Sequence, residues 1–590
     1  YGEPRDLHSF PTRRSSDLGF QSEERLFLNG YQSWTDSMEF PRNHTMKDPS
    51  RILRPLLKKH QLDRYGDYTF VPYTRKKGML HGFSYAYIRQ PDNWAILFAS
   101  LNEANGFTVF NVNTKTGLFE IQKDLDGVRY ESDKPQYADK PLIDLFVQEG
   151  ELPDVFDSYF AAIDRPILSA KPCIGWTSWY NYYQNISQSV ILDNLNAFKK
   201  NKLPIDIFQI DDGYQTAVGD WLSVQALFPN GMKYIADEIR AAGYTPGIWL
   251  APLVCETKSK IFREHQDWLM KNQRGEIISC GGNWSGFYTL DFYKPEVRGY
   301  LKEVFDTVLD TWGFDLVKLD FLYAACIEPV YGKSRGELME DAMRLLRELV
   351  GTRKILGCGV PLWQAFGRVE YCRIGPDIDL QWDNKLYRLV AHRERPSTLT
   401  ALQNTIGRHH LDGRAFINDP DVFLLRSENL KLDKQEKFTL LLANVTLGNV
   451  LFTSDNLQEY DDAQWKLWLS VFPNKEKRVS RIQQRGKVTE VLFSIGGRNF
   501  AAYFNLSNNP HDIRIDTACF VRNADACFWL EKSRMELPPH SGICMSFPGQ
   551  EEVGILGSTC SLYPGTETEF FEYTIKETEL DLHLDRKSVV

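Results

Sequence analysis

The stretch FDLVKLDFLY, residues 314–323, is an apolar strand pattern that carries two charged side chains. Because side chains alternate across a strand, Lys318 and Asp320 share one face, while Val317 and Leu319 share the other. The apolar face predicts a covering layer of helices. The charged face is costly to bury, so it indicates either a structural ion pair or a functional site. The rest of the chain has to separate these two interpretations.

Similar apolar runs recur through the middle of the chain and alternate with helical patterns. SQSVILDNLNAFKKN (187–201) and RGELMEDAMRLLRELVG (335–351) are two of these helical patterns. Eight β/α units over roughly 250 residues match the size of a (β/α)8 TIM barrel. We therefore predict a catalytic barrel over residues 172–475, with strands at 172–179, 206–212, 245–252, 288–291, 314–323, 354–360, 372–376 and 415–422.

Antiparallel β-structure is predicted on both sides of the barrel, which makes the chain multidomain. Short alternating segments separated by turn residues fill residues 19–165 and are typical of an N-terminal β-sandwich. After the barrel, EVLFSIGGRNFAAYFNLS opens a small C-terminal β-sandwich, which we predict over residues 480–548. Residues 549–584 are interpreted as the start of a further segment that has been cut off.

The two ends of the chain do not resemble protein structure. HSFPTRRSSDL (8–18) and DRKSVV (585–590) are the translations of opposite strands of one common sequencing adapter. We interpret residues 1–18 and 585–590 as non-native and exclude them from the fold. The native start is then missing, and a signal peptide could have been lost with it.

Composition excludes several classes of function. The net charge is -9 and no basic run is present, so we expect no nucleic-acid or membrane-surface partner. No stretch of 18 or more apolar residues occurs, as a membrane span would require. The 10 cysteines form no C-x-x-C pair or zinc-type cluster, which favours reduced thiols, a cytoplasmic protein and no metal site. The oligomeric state stays open.

Polar and aromatic side chains gather where the predicted strands end, and barrel enzymes place their active sites there. Five strand ends that converge on one mouth favour a site over a structural ion pair. The residues at these ends are Asp211, Asp212, Trp249, Lys318, Asp320, Arg373, Asp377, Asn418, Asp419 and Asp421.

Two carboxylates on separate strands, with a cation beside one of them, suit retaining glycoside hydrolysis. That reaction needs an ionised nucleophile and a protonated acid about 5–5.5 Å apart. Lys318 favours the charged form of Asp320, so we predict Asp320 as the nucleophile and Asp377 as the acid/base. The pair Asp211 and Asp212 could accept bonds from two sugar hydroxyls, and a tryptophan supplies an apolar sugar-binding face.

The motifs GWTSWYNYY, FQIDDGY, GIWLAP, VKLDFLYA, ILGCGVPL, RIGPD and INDPD resemble, in order, those of glycoside hydrolase family 36, the α-galactosidases. The resemblance implies a retaining double displacement on terminal α-galactosides of small oligosaccharides or glycans, without metal or other cofactor. It implies Asp320 as nucleophile and Asp377 as acid/base. The residues that it implies for galactose binding are Asp211, Asp212, Trp249, Lys318 and Arg373.

Two further residues are tied to the predicted pocket by neighbouring motifs. NGYQSW (29–34) resembles a segment through which the N-terminal domain lends an aromatic ring, which makes Trp34 a candidate. Cys358, in GCGVPL, is either a residue beside the substrate or a buried structural thiol.

Several points of the resemblance remain open. Asp379 and Asp383 follow RIGPD closely and rival Asp377 as the acid. SCGGNWSGFY (279–288) should reach the pocket but does not align clearly with a family motif, which leaves 2-acetamido sugars open as substrates. The competing functions are a galactosyl transglycosylase, an α-N-acetylgalactosaminidase, a barrel lyase in which Lys318 forms a Schiff base, and an inactive carbohydrate-binding protein.

Overall fold

The computed structural model describes residues 24–49, 59–91, 93–128, 141–389, 392–547, 561–563, 570–576 and 579–585. Residues 1–18 and 586–590 lie outside this part of the chain, so their interpretation as adapter sequence stays a prediction. Within the described residues, no helix has the length and apolar character needed to cross a membrane.

Eight parallel strands form the central sheet and close into a barrel. The amide of Asn449 donates to the carbonyl of Asn418 at 3.1 Å, and Val422 forms a bridge with Phe452, which joins the last two strands. The strands are β1 Cys173–Thr177, β2 Ile207–Ile210, β3 Thr245–Leu250, β4 Leu316–Leu319, β5 Lys354–Gly357, β6 Tyr371–Arg373, β7 Ile417–Asp419 and β8 Val450–Thr453.

One predicted barrel strand is wrong. The run at 288–291 is not in the barrel, because Phe287–Thr289 pairs antiparallel with Val254–Glu256 and Ser279–Gly281 in a separate three-stranded sheet. The eighth strand is instead β8, which is separated from the helix Lys434–Leu447 by only two residues. Helix and strand are both apolar here, so the sequence pattern does not separate them.

Helices cover the outside of the barrel, as the alternating pattern predicts. Ser187 accepts the amide of Val190 at 3.2 Å and starts the first long helix, and Ser334 forms a capping box with Glu337. The principal helices are Gln188–Lys200, Gly231–Ala241, Pro295–Phe305, Arg335–Val350, Thr398–Gly407 and Lys434–Leu447, and shorter ones are Trp179–Tyr182, Lys260–Glu264, Leu362–Ala365, Lys385–Leu389 and Asp462–Leu469.

The N-terminal domain consists of two antiparallel sheets packed face to face. Leu26, Phe40, Phe110 and Val112 lie in the apolar core between the sheets. The larger sheet has the strand order Met38–Phe40, Arg25–Leu28, Tyr85–Arg89, Trp94–Ser100 and Leu145–Glu151, and the smaller contains Met79–Phe83, Thr108–Asn113 and Leu118–Lys123. The helix Leu152–Ala162 follows.

The C-terminal domain is also antiparallel. Its six-stranded sheet has the order Arg478–Arg485, Val488–Ile495, Arg498–Asn505, Ser541–Ser546, Cys519–Arg522 and Cys527–Leu530, and His511–Ile515 pairs with Ser533–Leu537. Phe570–Lys576 and Glu579–Asp585 form a hairpin. The architecture of a barrel flanked by two β-domains therefore confirms the predicted fold class.

A buried arginine fastens the N-terminal sandwich to the barrel. The Arg408 guanidinium donates to the carbonyls of Gln32 and Ser33 in the sandwich and to that of Ile374 in the barrel. Burial lowers the pKa of Arg408 to about 10. Because Gln32 and Ser33 immediately precede Trp34, these bonds also fix where that tryptophan lies.

Candidate active site

A cavity of about 400 Å3 lies at the carboxyl ends of the barrel strands. Its wall combines barrel residues with residues of the N-terminal sandwich. Seven of the predicted site residues line it: Trp34, Asp211, Asp212, Trp249, Lys318, Asp320 and Asp377. Within the described residues, no group of three or more His, Cys, Asp or Glu side chains is placed to hold a metal ion.

Lys318 forms its ion pair with Asp211. The ammonium Nζ lies 2.8 Å from Asp211 Oδ2, and both side chains are almost fully buried. Gln209 also donates to Asp211 Oδ2, at 3.0 Å. Both interpretations of the charged face of FDLVKLDFLY therefore hold: Lys318 forms an ion pair, and the same face is part of the cavity wall.

Asp320 is held by two donors at the end of β4. Trp249 Nε1 donates to Oδ2 at 3.1 Å, and the amide of Phe321 donates to Oδ1 at 2.8 Å. Burial raises the pKa of Asp320, while the charge of Lys318 and the bond from Trp249 oppose that rise. Lys318 therefore lowers the pKa of Asp320 as predicted, but burial raises this pKa by more.

Asp377 lies at the open side of the cavity, with its side chain 37% exposed. Arg373 Nη2 donates to Asp377 Oδ1 at 2.8 Å. The same nitrogen also pairs with Asp421 and donates to the hydroxyl of Tyr180. Asp377 is therefore oriented from the protein side and open on the cavity side.

The two rival carboxylates are placed elsewhere. Asp383 accepts from Ser397 Oγ at 2.9 Å and pairs with Arg395, facing a second cavity between the three domains. Asp379 accepts from Gln381 at 3.2 Å and does not line the catalytic cavity. Of the three candidates for the acid, Asp377 alone is on the cavity wall.

Asp212 accepts bonds from three side chains. Trp284 Nε1 and Gln184 Nε2 each lie 2.9 Å from Oδ2, and Gln215 Nε2 lies 2.5 Å from Oδ1. Burial raises the pKa of Asp212 to about 6, although these three bonds oppose the rise. The carboxylate is thus fixed in place beside the cavity.

Arg373 and Cys358 lie one layer behind the wall. Arg373 is buried under Asp377, so its place is to orient that carboxylate rather than to line the cavity. Cys358 Sγ accepts Trp34 Nε1 at 3.3 Å. Direct contact of these two residues with galactose stays a prediction, and the geometry supports an indirect action through Asp377 and Trp34.

Trp34 brings the N-terminal sandwich into the cavity. Its ring packs edge-on against Phe321, with the ring centroids 5.1 Å apart, and against Tyr323 at 5.7 Å. The two partners follow Asp320 by one and three residues along the chain. The aromatic wall beside the predicted nucleophile therefore comes from two domains.

Several cavity residues are not predicted individually from the sequence. Trp284 and Asn283 belong to SCGGNWSGFY, the segment predicted to reach the pocket, and Trp284 has a left-handed backbone with φ 53°. Glu394 is buried and accepts from Thr35 Oγ1 at 2.7 Å and from Tyr68 Oη at 2.6 Å, both in the N-terminal domain. The remaining unpredicted wall residues are His60, Leu62, Tyr65, Trp179, Phe321, Leu386, His392, Arg395 and Pro396.

A closed (β/α)8 barrel with carboxylates and tryptophans at its strand ends defines the class: this is a barrel of the glycoside hydrolase type. Comparison with protein families makes this more specific. Residues 152–345 match the model of the melibiase family.

Curated relatives match over about a quarter of the chain. The α-galactosidase Mel36A of Lactobacillus acidophilus is 28% identical over 163 residues, which are 26% of this chain and 20% of the relative. An α-galactosidase of Escherichia coli is 28% identical over 150 residues, 24% of this chain and 20% of the relative. The aligned region thus spans only about a fifth of these relatives.

Solved structures extend the similarity over most of the chain. The α-galactosidase TtGalA from Thermus thermophilus, in complex with p-nitrophenyl α-D-galactopyranoside, superposes with a TM-score of 0.64 and 25% identity, covering 81% of this chain and 90% of that one. The α-galactosidase AgaA from Geobacillus stearothermophilus has a TM-score of 0.56 at 11% identity, covering 89% and 74%, and shares the fold.

Proposed function

We propose that the chain is a retaining, exo-acting α-galactosidase that hydrolyses terminal α-D-galactosides of the melibiose and raffinose type. The observation that carries the proposal is the single cavity in which Asp320 and Asp377 meet the sugar-binding candidates Asp211, Asp212 and Trp249. The similarity to TtGalA, which was crystallised with an α-galactoside, supports the choice of sugar.

The reaction would proceed in two displacements. Asp320 attacks the anomeric carbon while Asp377 protonates the departing glycosidic oxygen, which leaves a galactosyl ester on Asp320. Asp377 then takes a proton from water, and that water hydrolyses the ester on the face that the leaving group vacated. Trp249 and the Phe321 amide hold Asp320 in one orientation throughout, as positioned catalysis requires.

Sugar binding would use the acceptors and the cation of the cavity floor. A carboxylate has about four lone-pair sites, so Asp212 keeps one on Oδ1 beyond its three protein bonds, enough to accept a sugar hydroxyl. Lys318 can donate to a hydroxyl while it stays paired with Asp211. When a buried charged group binds a sugar hydroxyl, the enzyme strongly prefers the sugar that carries this hydroxyl over an analogue that lacks it.

A Schiff-base lyase is disfavoured by the state of Lys318. Burial alone would lower the pKa of Lys318, but the charge of Asp211, together with that of Asp320, outweighs it and raises the pKa above its ordinary value. A Schiff-base lysine must be a neutral amine to attack a carbonyl. Lys318 is held as an ammonium ion instead.

The test is hydrolysis of 4-nitrophenyl α-galactoside compared with the α-glucoside, the β-galactoside and the α-N-acetylgalactosaminide. We expect the α-galactoside to be the preferred substrate and NMR to show α-galactose as the first product. A preference for the acetamido sugar would instead assign the α-N-acetylgalactosaminidase, and β-galactose as first product would overturn retention. Transfer to added sugar acceptors in place of hydrolysis would assign the transglycosylase.

A further inference from the structure

We propose that Tyr183, which packs edge-on against the cavity residue Trp179, is a binding platform for the second sugar ring of an oligosaccharide substrate. The proposal rests on the proposed function and makes it more specific, because it assigns a subsite on the leaving-group side. The ligand is a neutral hexose linked to the terminal galactose.

Tyr183 is an exposed aromatic ring directly beside the cavity. The rings of Trp179 and Tyr183 lie 5.1 Å apart between centroids, at 83° to each other. Trp179 lines the cavity, and Tyr183 stands outside it with 40% of its surface exposed. An exposed tyrosine ring offers an apolar face with a polar tip, which suits the face of a sugar.

The backbone at Tyr183 has an unusual conformation that fixes the ring in this place. Its φ of 48° and ψ of -134° are disfavoured for a residue with a side chain. The next residue, Gln184, donates to Asp212 at 2.9 Å. A Cβ added at Gly213 would lie 2.8 Å from the Gln184 Cα, so the turn is packed tightly on the segment after β2.

The leaving-group side follows from the position of Asp377. An exo-acting enzyme encloses the terminal sugar, so the rest of the substrate leaves through the mouth of the cavity, past the residue that protonates the glycosidic oxygen. Asp377 is at that mouth. Arg373 donates to Asp377 at 2.8 Å and to the hydroxyl of Tyr180 at 3.1 Å. Tyr180 belongs to the short helix that Tyr183 directly follows, so Tyr183 lies on the Asp377 side of the cavity.

The experiment compares a substrate that can reach the platform with one that cannot. Stachyose presents further sugar rings beyond galactose, whereas the leaving group of α-galactosyl fluoride is a single atom. We expect Tyr183→Gly to lower the ratio of kcat/KM for stachyose to kcat/KM for the fluoride at least tenfold, chiefly through KM. Tyr183→Phe keeps the ring and should keep the ratio within twofold of the wild type.

Glycine is the chosen replacement because it accepts the positive φ without strain. Tyr331→Gly is the matched control, since Tyr331 is also an exposed tyrosine with positive φ, 57°, but does not line the cavity. If the ratio in Tyr183→Gly equals that of the control, the ring is only a structural partner of Trp179 and the platform is wrong. A wild-type chain inactive on the fluoride and every α-galactoside would overturn the proposed function itself.

Discussion

Arg373 donates to Asp377 across 2.8 Å, and this bond joins one of the most buried cations of the barrel to the most exposed carboxylate of the catalytic cavity. Asp421 and Tyr180 bind the same guanidinium nitrogen. The predicted acid/base is therefore anchored to a charged network beneath it, while its free oxygen faces the cavity.

Asp377→Ala should act differently on different leaving groups. Dinitrophenolate departs with little protonation, so the first step should survive on 2,4-dinitrophenyl α-galactoside and fall by about 10²–10⁴ on an alkyl galactoside. Added azide should speed deglycosylation and give α-galactosyl azide, as measured by product NMR. Asp379→Ala is the control two residues away, and the rescue pattern in that variant would transfer the acid role to Asp379.

Asp320→Ala and Asp320→Asn should abolish turnover on every leaving group, because no other group can form the galactosyl ester. Azide added to the alanine variant should give β-galactosyl azide, the opposite anomer from that of Asp377→Ala. Mass spectrometry of wild-type enzyme trapped with a 2-fluorogalactoside should place the label on Asp320. A label on any other residue would contradict the assignment.

Asp212→Asn should weaken sugar binding in both the ground state and the transition state. Loss of a buried charged acceptor is worth about 1–3 kcal/mol, or about 5- to 150-fold in kcat/KM for the α-galactoside. Thermal unfolding of the variant should be measured alongside, since the amide keeps the shape of the side chain. Unchanged kcat/KM in a folded variant would remove Asp212 from the site.

Glu394→Gln should change how stability depends on pH. Burial raises the pKa of Glu394 from 4.5 to about 7, so the folded protein binds this proton more tightly than the unfolded chain does. The stabilising effect is complete below about pH 4.5 and is lost as pH rises through 7, a change of about 3 kcal/mol. Relative to wild type, the glutamine variant should therefore gain stability between pH 4.5 and pH 8.

Unfolding midpoints at the two pH values measure this effect, with the exposed Glu120→Gln as the control for the chemical change. If wild type and Glu394→Gln differ in stability by the same amount at both pH values, protonation of Glu394 is not linked to folding. Activity at pH 7 should be recorded too, because the carboxylate lies in the cavity wall.

Arg408→Met should loosen the N-terminal sandwich. The carbonyls of Gln32 and Ser33 lose their donors, at a cost of about 2–4 kcal/mol. Limited proteolysis should then cut the chain before the barrel more readily, and activity should fall as Trp34 loses its position. The exposed Arg240→Met is the control. Equal protease resistance of the two variants would contradict this role for Arg408.

The sequence predicts those parts of the fold in which apolar residues form a regular pattern. Runs 206–212 and 354–360 enclose the strands Ile207–Ile210 and Lys354–Gly357, because barrel strands buried on both faces are continuous apolar runs. Strand β8 is not predicted in this way, because an apolar helix ends just before it and the two elements form one nearly continuous apolar stretch.

Most site residues that the sequence predicts lie at or near strand ends, and many of those that it does not predict lie in loops. Asp211, Asp320 and Asp377 terminate strands or closely follow them, so the fold class alone brings them together. Trp284 and Glu394 lie in loops without periodicity, and their positions depend on contacts with residues more than 70 and more than 300 positions away along the chain. No local pattern encodes such contacts.

The origin of the cavity wall matters for anyone who wishes to recombine this chain with others. Trp34 and the Thr35 that binds Glu394 come from the sandwich, so a chimera that exchanges only the barrel would combine a pocket floor from one parent with a wall from another. Substrate preference should then be transferred only when the sandwich and the barrel are exchanged together. In a barrel-only chimera, directed evolution should find compensating changes on both sides of the boundary between these two domains.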